Sequence, residues 1–354
     1  MIAAWISVLL WSPGPLDSQA LLVDTKKLPV YEPRLVHLSV DGEQSIYCTF
    51  FGAHKVIKFD GSGSVVYEIN GPGKGPGELL EPTFTALMQN ESVLFVYQDY
   101  LWSFFNAVDG TFLRSVNVKP GSRIAKYDEE HLIVAYLNNE MMLTLYDLHG
   151  NPVASWGKQV TSLEPGIIWS RRFAMTVAEE HSEKRVLFQE GAWPELAMYS
   201  KGVDPPGIWP LKPPKYYLKT PDEPFHMRQS GFSLRKLREY SKSFTQLATL
   251  AADDNRVAVM WRLGGEREGS IDIIDFDTRE HLLSNLPTSA KALALDTNYL
   301  YTVTEEDGEI DTSLILRKFR LFPDRDTDVS IADTYPDPNS SSSNAVDIPE
   351  NRLR

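Results

Sequence analysis

The sequence predicts an all-β protein, a six-bladed β-propeller made of four-stranded blades. Two observations support this fold class. From Leu35 onward, short runs of strand-forming residues alternate with turn residues at a spacing of roughly ten residues. These runs fall into sets of four that recur about every forty to fifty residues, the period that is typical of propeller blades.

The first three sets are the most regular. They contain the runs LVHLSV, QSIYCTF, HKVIKFD and SVVYEIN, then FTALMQ, SVLFVYQ, YLWSFFN and TFLRSVNV, then SRIAKY, HLIVAYL, MMLTLYD and PVASW. Between the last two runs of a set we place a tight turn, at Asp60-Gly61 with Gly63 in the first set and at Asp109-Gly110 in the second. This interpretation makes the repeat 109 − 60 = 49 residues long.

The later sets are less regular, and the last one is incomplete. A fourth set contains RRFAMTV, KRVLFQE, ELAMYS and GIWPL, and a fifth contains FTQLATL, RVAVMW, SIDIIDF and EHLLSNL. The sixth has only three runs, AKALALD, YLYTVT and LILRKFRLF. Because closing the ring removes exposed sheet edges, we expect the segment LLVDTKKLPVY near the amino terminus to supply the missing strand. The propeller then spans residues 21–322.

The two ends of the chain differ from the repeats. Ile2 to Trp11 is an uncharged apolar run, and the small-x-small triplet Ser18-Gln19-Ala20 follows it, so residues 1–20 are predicted to be a signal peptide cleaved after Ala20. Residues 323–354 are rich in Asp, Pro, Ser and Asn and have few apolar side chains. Such a segment buries too little surface to offset its ordering entropy, so a disordered acidic tail is predicted.

Charge and composition exclude some classes of partner. The formal net charge is −13, and no basic block follows the pattern of a phosphate-binding surface, so nucleic acid is not an expected partner. The amino-terminal apolar run is shorter than the roughly twenty residues that a spanning helix needs, so we do not expect an integral membrane protein. Cys48 is the one cysteine, so the chain forms no internal disulfide.

The segment NGPGKGPGELLEPTF, from Asn70 to Phe84, links the first set to the second. Lys74 is followed by Gly75-Pro76 and no helix begins there, so the segment is not a phosphate-binding P-loop. Its alternating glycines and prolines favour a stiff crossover that passes close to neighbouring strands. Glu78 is interpreted as capping backbone amides of this turn, with a role as a ligand or acid at the rim as the alternative.

This segment resembles the linker between blades in the NHL-repeat family, where a G-x-G-P-G-[EQ]-F-x-x-P motif joins one blade to the next. The matching residues are Gly73, Gly75, Pro76, Gly77, Glu78 and Pro82, while Leu79 stands where the family usually has Phe. The resemblance covers one repeat, about a sixth of the chain. It implies a six-bladed propeller related to those of exported bacterial proteins, located in the periplasm or secreted.

The resemblance implies two classes of function. One is a module that binds a small molecule, a glycan or a protein. The alternative is a propeller-type enzyme, a lyase or a lactonase-like hydrolase, because some relatives are enzymes with metal and histidine residues around the ring axis. That alternative requires histidines or carboxylates to converge at one mouth of the ring.

Two segments contain candidate binding residues. The stretch PGIIWSRRF places Trp169 beside Arg171 and Arg172, a combination suited to carboxylates or sugars, although alternation along a strand would point at most one arginine inward. Residues 211–243 interrupt the repeats and contain eight Lys or Arg against three Asp or Glu. We expect this insert to cover one face as a lid or an anion site, or to plug the ring with its aromatic side chains; its candidate residues are Lys215, Tyr216, Tyr217, His226 and Arg235.

No catalytic or metal-binding motif is found. The seven histidines are scattered singly, without the local spacings of zinc sites. The acidic stretches around Asp253 and from Glu305 to Asp311 lack the pattern of a calcium-binding loop and are interpreted as solvated hairpin tips. We therefore predict no cofactor and no catalytic residue from the sequence; calcium is the cation that such oxygen-rich clusters would take.

Overall fold

The predicted six-bladed β-propeller is confirmed. The computed structural model describes residues 21–28, 35–98, 100–136, 141–158, 174–189, 195–212, 214, 245–263, 268–307 and 312–321. In these ranges every regular element is a β-strand, and the strands form six antiparallel sheets of four strands each. The predicted signal peptide and acidic tail lie outside the described residues.

The first three blades follow the predicted runs closely. Each blade is a simple meander, in which consecutive strands pair antiparallel. The chain begins with β1 (Leu21–Leu28), which belongs to the last blade. The strands of the first three blades are β2 (Leu35–Val40), β3 (Ile46–Phe50), β4 (Lys55–Phe59), β5 (Val65–Ile69), β6 (Phe84–Met88), β7 (Val93–Gln98), β8 (Leu101–Asn106), β9 (Phe112–Asn117), β10 (Arg123–Lys126), β11 (His131–Ala135), β12 (Leu143–Asp147) and β13 (Pro152–Trp156).

The last three blades have the same order of strands. The fourth begins later than the run RRFAMTV suggests, at Met175. Their strands are β14 (Met175–Glu180), β15 (Glu183–Phe188), β16 (Glu195–Tyr199), β17 (Gly207–Pro210), β18 (Thr245–Asp253), β19 (Arg256–Leu263), β20 (Gly269–Asp275), β21 (His281–Thr288), β22 (Ala290–Leu295), β23 (Tyr299–Asp307) and β24 (Thr312–Arg320).

The ring is closed by the amino-terminal strand, as predicted. β1 pairs antiparallel with β24, so that Leu28 lies opposite Leu314. Leu28 is almost fully buried and packs in one apolar cluster with residues of both the first and the last blade. The last blade therefore consists of β22, β23, β24 and β1, and one strand from each end of the propeller sequence fastens the ring.

The apolar core is divided among the seams between blades. The described residues form six clusters of buried side chains, and each cluster joins two neighbouring blades. Aromatic rings contribute at several seams: Trp102 of the second blade meets Tyr146 of the third at 5.5 Å between ring centroids, and Trp209 of the fourth blade meets Phe276 of the fifth at 5.2 Å. Burial of such surface is the main force that holds blades together, since no hydrogen-bond ladder crosses between the described strands of different blades.

The turn between the third and fourth strands of a blade uses one repeated device. An Asp or Asn at the end of the third strand accepts backbone N–H bonds through its side chain, as Asp60 does from Ser62 and Ser64. A residue with positive φ then completes the turn; these residues are Gly63, Gly110, Gly150 and Arg279 in the first, second, third and fifth blades, and Gly202 has positive φ in the corresponding turn of the fourth. Gly110 therefore corresponds to Gly63 and not to Gly61, which corrects our alignment of the first two sets and shortens the repeat to 110 − 63 = 47 residues.

The seam between the first two blades contains a buried ion pair. Lys58 Nζ lies 3.5 Å from Asp41 Oδ2 and donates a hydrogen bond of 3.0 Å to the carbonyl oxygen of Ala107. The hydroxyl of Tyr67 donates to the same carbonyl, and the hydroxyl of Tyr47 lies within hydrogen-bonding distance of both Asp41 Oδ2, at 3.1 Å, and this carbonyl, at 3.2 Å. Burial raises the pKa of both tyrosines, so the two hydroxyls keep their protons and act as donors.

Candidate functional site

The first strand of each blade lines a cavity at the ring axis. These innermost strands are β2, β6, β10, β14, β18 and β22, and each one contacts its neighbours around the axis. They enclose a cavity of about 490 Å³, which we call the central cavity. This volume lies in the range that small-molecule sites occupy, and residues from all six blades contribute to the wall.

A set of neutral polar side chains crosses the wall between the first two blades. His37 and Ser39 come from β2, Thr85 comes from β6, and Thr49 supports them from β3. The Ser39 hydroxyl donates 2.9 Å to the Thr85 carbonyl, and the Thr49 hydroxyl donates 3.2 Å to Thr85 Oγ1. The imidazole of His37 packs against the ring of Phe84, with 4.4 Å between centroids. These contacts hold the histidine in one place.

The hydrogen bonds of His37 determine its tautomer. The backbone N–H of Thr85 lies 3.3 Å from His37 Nδ1. Nδ1 is also 3.3 Å from Thr85 Oγ1, which can donate or accept. Because a backbone amide nitrogen only donates, the two contacts together favour Nδ1 as the unprotonated acceptor and place the proton of the neutral ring on Nε2. Burial lowers the pKa of His37 to about 4, so the ring is neutral at physiological pH.

One end of the central cavity has an acidic rim. The innermost strands finish at this end, and the loops that follow them meet there. The carboxylates among the described residues that line the cavity are Glu91, Asp128, Glu129, Glu179, Asp253 and Asp254. Lys126 and Lys184 are the lysines among the same residues, so the rim has an excess of negative charge.

Several rim carboxylates link one blade to the next. Both oxygens of Glu91 accept the backbone N–H of Gly42, at 2.9 and 3.0 Å. Glu129 accepts the backbone N–H of Asn90 at 2.9 Å and pairs with Lys126. These carboxylates fasten neighbouring loops of the first three blades, and their lone pairs are used within the protein.

Other rim carboxylates are not used in this way. The segments that contain Glu179 and Asp254 lie side by side, because the backbone N–H of Glu179 donates a hydrogen bond of 2.8 Å to the carbonyl oxygen of Asp254. Within the described part of the chain, neither carboxylate accepts a hydrogen bond or forms an ion pair. Lys184 lies opposite Glu179 in the strand pair, but its Nζ lies over the ring of Tyr127, 5.8 Å from the centroid.

Asp253 adds a partly buried acid to the same side of the rim. Its carboxylate lies 3.3 Å from the guanidinium of Arg256. Burial and the neighbouring charge of Asp254 raise the pKa of Asp253, and the arginine only partly opposes them. Among the described residues, the fourth and fifth blades, which contribute Glu179, Asp253 and Asp254, therefore form the part of the rim where the protein itself neutralises the carboxylates least.

The glycine-rich linker docks on both blades that it joins. Glu78 Oε2 accepts the backbone N–H of Gly75 at 2.8 Å, and the buried Leu79 packs into the seam between the first and second blades. The backbone N–H of Glu81 donates to His54 of the first blade, and that of Leu80 donates to Gln98 of the second. Gly73, Pro76, Gly77 and Pro82 belong to the same turn, and this linker does not line the central cavity.

The predicted binding residues are not placed by the structure. Trp169, Arg171, Arg172, Lys215, Tyr216, Tyr217, His226 and Arg235 all lie outside the described residues. Nor do the described residues include a group of three or more His, Cys, Asp or Glu side chains arranged to hold a metal ion. The described part likewise has no helix that is long and apolar enough to cross a membrane.

Two solved structures have the same fold. No protein-family model and no curated protein matches the sequence. A member of the DUF4221 family from Bacteroides vulgatus aligns with a TM-score of 0.61 over 86% of this chain and 99% of its own, at 12% identity. A Bacteroides fragilis protein that is named as one expected to be exported aligns with a TM-score of 0.55 over 85% of this chain and 95% of its own, at 13% identity. At these identities the similarity establishes the fold alone.

Local sequence patterns do not identify the residues of the central cavity. They make His37 one of seven singly scattered histidines and indicate a solvated hairpin tip around Asp253. His37 and Asp253 each lie in the first strand of a blade, and Thr85 and Glu179 lie in the first strands of two other blades. Comparing the first run of every set would have brought these residues together, because the first strand of each blade is the one that faces the axis.

Proposed function

We propose that this chain is an exported, NHL-like β-propeller that binds a small molecule in its central cavity. The observation that carries the proposal is the cavity itself: all six innermost strands line it, and its exposed wall is more polar than apolar. Its concave shape and its volume are typical of sites that bind small ligands, and its polar wall favours a polar ligand. The glycine-rich linker supports the relation to NHL-like propellers.

Export is supported by the sequence. Residues 1–20 have the apolar core and the cleavage triplet of a signal peptide, and the propeller begins at β1 directly after the predicted cleavage site. The name of the Bacteroides fragilis protein with the same fold is consistent with this location. A periplasmic or secreted binding module is the resulting proposal.

Filling the cavity tests the binding site. Val36 lines the cavity and is 41% exposed, so in Val36→Trp the larger side chain extends into the cavity and not into a packed core. We expect a compound that raises the melting temperature of the wild-type protein to lose this effect in the variant. The matched control is Val66→Trp on the outer strand β5, where Val66 is 48% exposed. Equal stabilisation of both variants would contradict binding in the cavity.

A propeller-type hydrolase or lyase is the second candidate. It is favoured by the convergence of carboxylates at one end of the cavity, with a raised pKa at Asp253, since a carboxyl group of raised pKa suits general acid catalysis. Mass spectrometry of the bound compound separates the two candidates. A binding module returns the compound unchanged after prolonged incubation, whereas an enzyme converts it, and Asp253→Asn abolishes the conversion.

A further inference from the structure

The central cavity presents two kinds of polar group that the protein does not use internally. One is the imidazole N–H of His37, and the other is the pair of carboxylates of Glu179 and Asp254 at the acidic rim. Together they define the chemistry of a ligand, and the inference below rests on the proposed binding function.

His37 offers a single hydrogen-bond donor. Nδ1 is occupied as the acceptor of the Thr85 backbone N–H, which leaves the proton on Nε2. Among the described residues Nε2 has no hydrogen-bond partner, and it is not one of the enclosed polar atoms. Because His37 lines the central cavity, its remaining accessible surface faces that space. A neutral N–H group of this kind donates a hydrogen bond to a carbonyl, ether or hydroxyl oxygen of the ligand.

Glu179 and Asp254 offer negative charge. Their neighbours Glu91 and Glu129 are neutralised or hydrogen-bonded within the rim, but these two carboxylates are not, within the described residues. The absence of a described metal-binding group at this position disfavours an inorganic cation held by protein ligands alone. Two carboxylates on neighbouring segments of the same rim suit an organic ammonium group, whose N–H groups donate hydrogen bonds to them.

The spacing between the two groups sets the length of the ligand. His37 lies three residues before the end of β2, and the rim begins where that strand finishes. With a rise of about 3.3 Å per residue, the imidazole lies roughly 10 Å from the rim along the axis. A single amine is too short to reach both groups, whereas a molecule of two linked rings or a chain of similar length spans them.

We propose that the central cavity binds a small organic cation, with an ammonium group at Glu179 and Asp254 and an oxygen acceptor on His37 Nε2. Between these two ends, Ala86, Ala125 and Ala294 are almost fully buried in the seams, and the exposed wall is more polar than apolar. The body of the ligand therefore meets a largely polar surface, which suits a skeleton with hydroxyl or ether groups.

The charge requirement is tested with matched probes. The β-1,4-linked disaccharide of glucosamine carries ammonium groups and oxygen acceptors, cellobiose has the same skeleton without the ammonium groups, and spermidine has ammonium groups without oxygen. We expect calorimetry to give the lowest Kd of the three probes for the glucosamine disaccharide. In the double variant Glu179→Gln and Asp254→Asn its Kd should rise at least tenfold. The control is Glu43→Gln, an exposed carboxylate of the loop after β2 that does not line the cavity.

The hydrogen-bond requirement is tested at His37. His37→Asn places its side-chain oxygen near the position of Nδ1 and so keeps the acceptor for the Thr85 N–H, but it removes the donor. We expect this variant to raise the Kd of the glucosamine disaccharide several-fold and to leave the Kd of spermidine unchanged. His37→Gln, whose amide reaches the position of Nε2, should restore part of the affinity. Nitrogen-15 NMR of the wild-type protein should show the proton on Nε2, and a proton on Nδ1 would overturn the assignment.

The outcomes separate the two levels of the proposal. If the probes bind equally to the wild type and to the carboxylate variants, or if none of the ammonium probes binds, the cationic ligand is excluded. Binding of a neutral compound that Val36→Trp abolishes would then leave the cavity as the site and overturn only the ligand class. Binding that Val36→Trp does not affect would exclude both the central cavity as the site and the cationic ligand proposed for it.

Discussion

His37 links the first two innermost strands and is also one of the titratable groups of the central cavity whose pKa is shifted by burial. Its pKa is lowered from its ordinary value of 6.5 to about 4 by burial. Above pH 6.5 the folded and unfolded states both hold a neutral ring, so the histidine makes no pH-dependent contribution. As the pH falls through 6.5 the unfolded state takes up the proton first, so the folded state progressively loses stability until about pH 4.

This linkage predicts a specific pH dependence. Between pH 7 and pH 4.5 the wild type should lose up to about 3 kcal/mol of its free energy of unfolding through His37 alone. His37→Asn lacks the titrating ring, so its deficit relative to the wild type should shrink over the same range. Urea denaturation at several pH values measures this difference. The control His149→Asn replaces an exposed turn histidine, and a similar trend in that variant would contradict the assignment to His37.

The ion pair between Lys58 and Asp41 is the second prediction at the residue scale. Both side chains are nearly buried, so Lys58→Met leaves the Asp41 carboxylate in the seam without its cation. We expect a loss of about 3 to 5 kcal/mol in the free energy of unfolding. The same substitution at Lys55, on the same strand but paired with Glu68 nearer the surface, should cost about 1 kcal/mol or less. Equal losses in the two variants would show that burial does not decide the effect.

At the scale of single elements, the glycine-rich linker depends on the space around Gly73. A Cβ atom at this position would lie 1.9 Å from Glu78 Oε2, so Gly73→Ala must displace the carboxylate that accepts the Gly75 N–H. We expect a loss of about 1 kcal/mol or more. Since Glu78→Ala removes the same hydrogen bond, the double variant should lose less than the sum of the two single variants. Gly61→Ala is the control, because its Cβ would meet no atom closer than 4.0 Å.

The closing strand β1 gives a matched pair of positions within one element. Leu28 is 1% exposed and Leu22 is 48% exposed, although both belong to the same strand and both face β24 in the register. Leu28→Ser should lower the free energy of unfolding by about 2 to 5 kcal/mol, because it removes apolar atoms from the cluster that joins the first and last blades. Leu22→Ser should change it by less than about 0.5 kcal/mol. Thermal and urea denaturation of the two variants measure the contribution of ring closure.

Much of this element-level organisation was predictable from the sequence, and the exceptions have physical causes. The alternation of strand formers and turn residues located nearly every strand, including the one that closes the ring. The predicted alignment of Gly110 with Gly61 is wrong, because a glycine that follows an aspartate is not necessarily the residue that turns the chain. The position is fixed by positive φ, which Gly63, Gly110 and even Arg279 adopt. Residue type alone does not determine φ, so the turn position is not readable from the sequence.

At the scale of the whole molecule, the central cavity was not predictable from local spacing. His37, Thr85, Glu179 and Asp254 are separated by tens of residues and meet only because each blade contributes its first strand to the axis. Sequence motifs detect ligands that are close along the chain, and a ring distributes its site among blades. The residues that sequence reasoning favoured, from Trp169 to Arg235, remain predictions for a binding role.

The most direct measurement is a crystal structure of the protein with the probe that raises its melting temperature most. Our account predicts electron density for the probe in the central cavity, with an oxygen within hydrogen-bonding distance of His37 Nε2 and an ammonium group between Glu179 and Asp254. Density for the probe on the outer strands of a blade, with the central cavity holding none, would contradict the claim that the ring axis is the binding site.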